Sequence, residues 1–216
     1  MSKISSIKPQ KRPNRFNIFL DDKFAFGVNA DLIVEENLKV GKDLDEKTIN
    51  RIIKKEDFTK LFDSSLKYLG IRTRSEKELW QYLAKKISRI QNIKFHEASQ
   101  SLIIPRIVKK LKSIGYLDDL EFAKWLIASR NRQAKGSRII KIELIKKGIA
   151  PEIIEKLTNN LPSQKDQAKK ALEKKIKLWQ KLPRQKFKEK VYRYLASRGF
   201  DWEDIKEAFA FFTKSG

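Results

Sequence analysis

Few side chains of this sequence are suited to catalysis or metal binding. The 216 residues include one histidine, His96, and no cysteine, so a zinc site or a histidine-activated nucleophile would lack the side chains it needs. The one notable carboxylate cluster is Asp118-Asp119 with Glu121. Because adjacent helical residues do not face each other and the acids precede Phe122, we interpret the cluster as helix N-capping rather than a nuclease site. Without a glycine-rich phosphate loop, the sequence predicts no catalytic residue, no metal site and no cofactor.

Positive charge is the chemical property that the sequence has in excess. It contains 49 Lys and Arg against 27 Asp and Glu, a formal net charge of +22. Residues 1–57 are nearly balanced, with 12 basic and 10 acidic side chains, so almost all of the surplus lies in residues 58–216. Such a charge favours a polyanionic partner, because the partner offsets repulsion within the protein. The alternative is that the lysines only solvate helix surfaces, and both interpretations can hold together.

Two clusters carry most of this charge. Between Arg130 and Lys147 the only acid is Glu143, and from Lys165 to Arg198 there are 13 basic and three acidic residues. Gly136 would allow a partner to approach the backbone closely. The candidate binding residues are Arg72, Arg74, Arg130, Arg132, Lys135, Arg138, Lys141, Lys146, Lys147, Lys174, Lys175, Arg193 and Arg198.

A helix junction at residues 68–86 shows how such side chains are positioned. Ser75 with Glu78 three residues later forms a capping box, which predicts the start of a helix. The apolar residues that follow at helical spacing are Leu79, Leu83 and Ile87. One face of the helix is therefore apolar. Arg72 and Arg74 precede the capping box, and we expect the turn to expose them.

The same helix pattern recurs twice more along the chain. The matching sets are Leu79-Leu83-Lys86-Ile87, Ile140-Leu144-Lys147-Gly148 and Val191-Leu195-Arg198-Gly199. Pro105 and Pro151 both suit the first turn of a following helix. These correspondences predict three tandem three-helix units, similar to helix-turn-helix motifs, in an elongated array with mostly local contacts. The first unit carries an insertion near residues 88–103, which we expect to be helical because apolar residues recur in it.

The N-terminal residues predict a different kind of structure. The segment Arg15–Val28, with Asp21-Asp22 at its centre, is typical of a β-hairpin, and residues 4–7 are a candidate third strand. Asn29 is a candidate N-cap of a short helix, and Asp43 or Asp45 of another. The predicted fold class is mainly α, with a small hairpin and helix segment before the repeats. The expected domains are 1–57, 58–119, 120–162 and 163–216.

Composition also bears on the cellular compartment. No stretch approaches the roughly 18 apolar residues of a membrane span, and the first residues lack the apolar core of a signal peptide. The absence of cysteine is consistent with a reducing environment. We therefore expect a cytoplasmic protein with no membrane contact. We also predict that the protein is a monomer.

Several short segments, in this order and spacing, resemble the RecX family of recombinase regulators. They are RFNIFLDDKFAFGV at 15–28, YLGIRTRSEKEL at 68–79, GYLDDLEFAKWL at 115–126, KG at 147–148 and SRGF at 197–200. Ile87 stands where the family pattern has a glycine, and the insertion after Lys86 is a second departure.

The resemblance implies a non-enzymatic protein that binds the RecA recombinase filament on single-stranded DNA. It implies inhibition of ATP hydrolysis, strand exchange and co-protease activity, and hence a role in DNA repair and the SOS response. The basic residues named above would contact the filament, with double-stranded DNA as a further candidate partner. The alternative is a stand-alone DNA- or RNA-binding module that uses the same basic repeats.

Overall fold

The computed structural model describes residues 1–159, 161–179 and 181–214, without the side chains of residues 174 and 214. Most of this part of the chain is helical. Its elements in order are β1 Ser2–Pro9, β2 Arg15–Leu20, β3 Lys23–Asn29, α1 Ala30–Glu35, β4 Asp43–Leu44, α2 Glu46–Ile71, α3 Glu76–Gln91, α4 Phe95–Ser99, α5 Ile103–Ser113, α6 Asp119–Arg132, α7 Ser137–Lys146, α8 Pro151–Thr158, α9 Gln164–Trp179, α10 Arg184–Ser197 and α11 Trp202–Lys214.

The chain divides into two compact units. The N-terminal unit is Met1–Tyr68 with Ser101–Ile107, and the C-terminal unit is Leu69–Gln100 with the chain from Val108 onward. Helix α2 continues without a break through residue 57, the predicted end of the first domain. The four-domain division stays a prediction.

The N-terminal unit contains an antiparallel sheet whose strand order is β3-β2-β1-β4. The hairpin is confirmed: Asp21 and Asp22 have φ angles of 47° and 62°, which the turn of a two-residue hairpin requires. The third strand is confirmed as β1. Strand β4 was not predicted, because its two residues are too short to show alternation. The buried core residues of this unit are Ile4, Ile18, Phe26, Val28, Leu32, Leu38, Leu44 and Ile52.

Helices α1 and α2 each begin just after a residue whose side chain caps the helix. The Asn29 side chain accepts a hydrogen bond from the Leu32 amide at 2.9 Å, which confirms the predicted cap of α1. Of the two candidates for the next helix, Asp45 is the one used, because it accepts from the Thr48 amide at 2.8 Å.

Three helix triplets follow one another along the chain: α2, α3 and α5, then α6, α7 and α8, then α9, α10 and α11. We call them the first, second and third repeats. The second repeat closes around buried Phe122, Ala123, Leu126, Ile140, Leu144, Ile149 and Ile154. The core of the third includes Ala168, Leu172, Phe187, Val191, Leu195, Phe200 and Ile205. The apolar positions of the predicted pattern are therefore core positions, and the mainly helical repeat fold is confirmed.

Glycine ends the middle helix of the second and third repeats. Helices α7 and α10 are followed by Gly148 and Gly199, whose φ angles are +78° and +85°. This left-handed geometry ends a helix and is costly for a side chain with a β-carbon. Ile87 occupies the matching position of α3, and α3 continues to Gln91 before Asn92 adopts φ 52°. The inserted segment thus contains the last turn of α3 and the short helix α4.

Candidate nucleic-acid and partner interface

Glu78 joins the first repeat to the second within the C-terminal unit. It forms the predicted capping box: the Ser75 side chain accepts from the Glu78 amide at 3.2 Å, and the Glu78 carboxylate accepts from the Ser75 amide at 3.4 Å. The same carboxylate pairs with Arg72 at 2.9 Å and with Lys147 Nζ at 2.6 Å. One acid therefore both caps a helix and joins two repeats.

The protonation of Glu78 reflects these partners. Burial raises the pKa of its carboxyl group, since Glu78 is 9% exposed, but hydrogen bonds from Arg72 and Lys147 outweigh burial. The pKa falls from 4.5 to about 2. Glu78 is therefore ionised throughout the physiological range, and both cations are engaged with it.

The expectation that the turn exposes Arg72 and Arg74 is wrong, because both side chains are half-buried. Arg72 packs over the Trp125 ring, 5.1 Å from its centre, in addition to pairing with Glu78. Local sequence could not show this, because Trp125 lies in the next repeat.

Arg198 occupies in the third repeat the position that Lys147 has in the second. Like Lys147, it contacts the preceding repeat. Its Nε donates to the Ala134 carbonyl at 3.1 Å, and its Nη2 donates to the Gln133 carbonyl. The adjacent backbone takes part, because the Gly136 amide donates to the Arg198 carbonyl at 2.8 Å. A β-carbon on Gly136 would overlap the Gly199 carbonyl and lie 2.6 Å from the Phe200 nitrogen. Gly136 thus serves contact within the protein.

Arg130 is a fourth candidate with an internal partner. Its guanidinium pairs with Glu143 at 2.7 Å, and both side chains are less than a third exposed. Arg72, Arg130, Lys147 and Arg198 are thus held by contacts within the C-terminal unit. Their role in binding a partner stays a prediction, and any partner must compete with these contacts.

Other predicted residues are available on the surface. Arg132 ends α6, while Arg138 and Lys141 are neighbours on α7 because they are three residues apart. None of these three forms an ion pair within the described part of the chain. Lys135 is half-buried, Lys146, Lys175 and Arg193 are exposed, and the side chain of Lys174 lies outside the described residues. Arg132, Arg138 and Lys141 are all exposed, and we call them the solvent-facing basic cluster.

The acidic residues near Phe122 act as caps, as predicted, with one addition. Asp118 caps α6 by accepting from the Leu120 amide at 2.7 Å. Asp119 accepts from the Glu76 amide at 2.8 Å at the start of α3, and burial raises the pKa of the Asp119 carboxyl group. In residues 1–159, 161–179 and 181–214, no His, Cys, Asp or Glu cluster could hold a metal. No helix in those same ranges has the length and apolar composition needed to cross a bilayer.

These features define a class of protein: tandem three-helix repeats with basic side chains on their surface, preceded by a small sheet. Family models for the RecX N-terminal domain, the second three-helix domain and the third three-helix domain match residues 2–45, 118–157 and 163–209. The chain belongs to the RecX family of regulatory proteins.

Individual relatives agree with this assignment. The chain is 34% identical to the regulatory protein RecX of Bacillus pumilus, over 96% of this chain and 76% of that protein. It is 33% identical to the regulatory protein RecX of Clostridium perfringens strain 13, over 94% of this chain and 92% of that protein. A crystal structure of a regulatory protein RecX superposes with a TM-score of 0.66 at 30% identity and covers 95% of this chain and 98% of that chain.

Proposed function

We propose that this protein binds the RecA recombinase filament on single-stranded DNA and inhibits its ATPase, strand-exchange and co-protease activities without catalysing a reaction. The observation that carries the proposal is the match to proteins named regulatory protein RecX over nearly the whole chain. The protein would act as a monomer in the cytoplasm.

Charge supplies the physical mechanism of this proposal. Most of the basic surplus belongs to residues 58–216, and the solvent-facing basic cluster has no competing carboxylate among the described residues. A filament presents DNA phosphates and acidic side chains, so exposed arginine and lysine would draw the protein to it. The binding should weaken as salt concentration rises, because salt screens exposed charges.

The first test measures ATP hydrolysis by RecA on single-stranded DNA as this protein is added. We expect hydrolysis to fall as the protein approaches stoichiometry with RecA. Unchanged hydrolysis at that ratio would contradict the proposal.

A charge-reversal variant tests the surface. We expect Arg132→Glu, Arg138→Glu and Lys141→Glu together to raise the half-inhibitory concentration about tenfold. Arg130 and Lys147 are left unchanged, because replacing them would break internal ion pairs. The matched control is Lys39→Glu, Lys47→Glu and Lys54→Glu, which makes the same change in net charge at exposed sites of the N-terminal unit. Equal inhibition by the two variants would show that another surface binds the filament.

The net charge of +22 also favours the alternative, a stand-alone DNA- or RNA-binding module. That function requires tight binding to naked nucleic acid, with the logarithm of affinity falling by about 0.7 per phosphate contact against the logarithm of salt concentration for a single strand. Filter binding without recombinase separates the two. Tight binding to DNA combined with no effect on RecA would favour the module.

A further inference from the structure

The N-terminal unit contains a concavity of about 530 Å³ that is far more basic than the rest of that unit. Four cationic side chains line it: Lys11, Arg12, Arg15 and Lys60. Its volume falls in the range of small-molecule sites. This feature is unexpected, because residues 1–57 as a whole are close to neutral.

In the described part of the chain, Glu56 is the carboxylate that forms ion pairs with this lining. Glu56, which is 2% exposed, pairs with Arg15 at 2.7 Å and with Lys60 at 3.4 Å. Its other oxygen accepts from the Asn29 amide at 3.1 Å. Glu56 is therefore fully engaged, and it fixes the positions of both cations.

Lys11 and Arg12 have no carboxylate partner within the described part of the chain. The lining thus has a surplus of about three positive charges, whereas a phosphate monoester carries roughly −1.5 to −2. A phosphate group of this kind would offset at least about half of that surplus.

The loop that carries the unpaired cations is held in place. The Gln10 amide donates to the Arg15 carbonyl at 2.8 Å, and the Gln10 side chain donates to Asn17 at 2.7 Å. Pro13 restricts the loop between them, and the Ala30 amide donates to the Asn14 carbonyl at 3.0 Å. A fixed loop loses little conformational freedom when it binds a ligand.

An aromatic ring lies beside the cations. Phe24 lines the concavity and is 61% exposed, while the edge-on contact with Phe19, at 6.0 Å between ring centres, supports it. An exposed ring next to unpaired cations suits a nucleotide, because the base can stack on the ring while the cations bind the phosphate.

We infer that this concavity binds a nucleotide, with its phosphate on Lys11, Arg12 and Lys60 and its base on Phe24. The ligand is either a free nucleotide or a nucleotide unit of a single strand. The site is separate from the basic cluster of the C-terminal unit, and it does not depend on the proposed action on RecA.

Nuclear magnetic resonance of the full-length ¹⁵N-labelled protein tests the inference. Thymidine 5′-monophosphate is titrated while the amide signals of Arg12 and Gly27 are followed, because both residues line the concavity. We expect saturable shifts of both amides at millimolar or lower concentrations, with weaker binding of thymidine or inorganic phosphate alone. Unmoved amides, or equal affinity for inorganic phosphate and the nucleotide, would overturn the inference.

Variants separate the contributions of charge and ring. Lys11→Glu with Arg12→Glu should weaken nucleotide binding at least about tenfold, because the phosphate loses two cations and meets two carboxylates. Phe24→Ala should weaken nucleotide binding about tenfold and leave phosphate binding unchanged. The matched control, Lys39→Glu with Lys47→Glu, should stay within about twofold, since neither residue lines the site. An equal loss in the control would overturn the assignment to this concavity.

The source of the nucleotide is tested in the Arg132→Glu, Arg138→Glu, Lys141→Glu background, in which we expect weaker binding of nucleic acid by the C-terminal unit. If octathymidylate shifts the Gly27 amide at much lower concentration than the mononucleotide, the ligand belongs to a single strand. Equal affinities identify the free nucleotide. A shift of Gly27 in this variant, whose inhibition of RecA is expected to be weaker, would support the site independently of the proposed function.

Discussion

The junction between the first and second repeats and the junction between the second and third repeats use equivalent residues. Their interactions differ in chemistry. At the first, Lys147 and Gly148 at the end of α7 meet the start of α3, where Lys147 pairs with Glu78. At the second, Gly199 after the end of α10 meets the start of α7, and Arg198 donates to the carbonyls of Gln133 and Ala134 in the turn before α7. A cation followed by glycine serves both junctions, but only the first depends on a carboxylate.

The two junctions also differ in the N-cap residue of the helix that each one contacts, α3 at the first and α7 at the second. Ser75 and Gly136 each lie four residues before a core position, which is Leu79 for Ser75 and Ile140 for Gly136. Ser75 caps α3 with its hydroxyl, whereas Gly136 has no side chain because the backbone around Gly199 occupies that space. The stability of the first junction should therefore depend on the charge of its side chains and on pH. The stability of the second should depend on the volume of the residue at position 136.

Adding a methyl group should produce the largest difference between the junctions. Gly136→Ala forces a β-carbon against the backbone of Gly199 and Phe200, so we expect a loss of about 3 kcal/mol in the free energy of unfolding. Gly148→Ala should cost about 1 kcal/mol, because φ is +78° but the nearest atoms belong to the flexible Lys77 side chain. Urea unfolding measures both values. Equal losses would mean that the second junction is not tightly packed in solution.

Removal of the Glu78 charge should be next in size. Glu78→Gln leaves Arg72 and Lys147 without their shared carboxylate, and we expect a loss of about 2 kcal/mol at pH 7. That value lies below the range for fully buried pairs, because Arg72 is 30% and Lys147 39% exposed. Urea unfolding at neutral pH gives the measurement, and a loss below 0.5 kcal/mol, roughly the value of a surface pair, would argue against the junction.

The same variant tests the pH dependence. The pKa of Glu78 is lowered in the folded protein, so its contribution to stability is present above its ordinary value of 4.5 and is lost as pH falls towards about 2. We expect the stability difference between the wild-type protein and Glu78→Gln to shrink as pH falls through this window. A difference that stays constant from pH 7 to pH 3 would contradict the assigned pKa.

Replacing the two junction cations, Lys147 and Arg198, should separate the junctions by their response to pH. Arg198→Met should cost about 1–1.5 kcal/mol, because two backbone carbonyls lose their donors, and this loss should not vary with acid. Lys147→Met should cost a similar amount at pH 7 but less as pH falls towards about 2, where the Glu78 carboxylate of the folded protein becomes protonated. Unfolding curves at pH 7 and pH 3 distinguish the two. Parallel behaviour of both variants would remove the chemical distinction between the junctions.

The smallest effect is expected away from both junctions. Lys206 pairs with Glu203 at 2.8 Å on α11, but the side chains are 45% and 76% exposed. Lys206→Met should change the free energy of unfolding by less than about 0.5 kcal/mol, because solvent screens such pairs. Thermal unfolding of Lys206→Met and Arg198→Met measured side by side gives this baseline. If Lys206→Met lost as much stability as Arg198→Met, removal of a charge alone would account for the effect of Arg198→Met.

The local sequence was sufficient to predict the elements and their repetition. The capping box at Ser75 and Glu78, the Asp21-Asp22 hairpin and the caps at Asn29 and Asp118 each depend on residues a few positions apart. Local interactions of this kind leave a readable pattern, as does the apolar spacing of the three middle helices. Strand β4 was missed, because its pairing with Ser2 and Lys3 joins distant segments.

Only the tertiary structure decided which basic side chains face solvent. Lys147 and Arg72 belong to the predicted binding set, yet both are bound to Glu78, which is 69 residues from Lys147. Arg198 likewise finds its carbonyl partners 64 and 65 residues away. The charge of a residue is encoded at its own position, whereas its availability depends on which distant atoms the fold brings within hydrogen-bond distance.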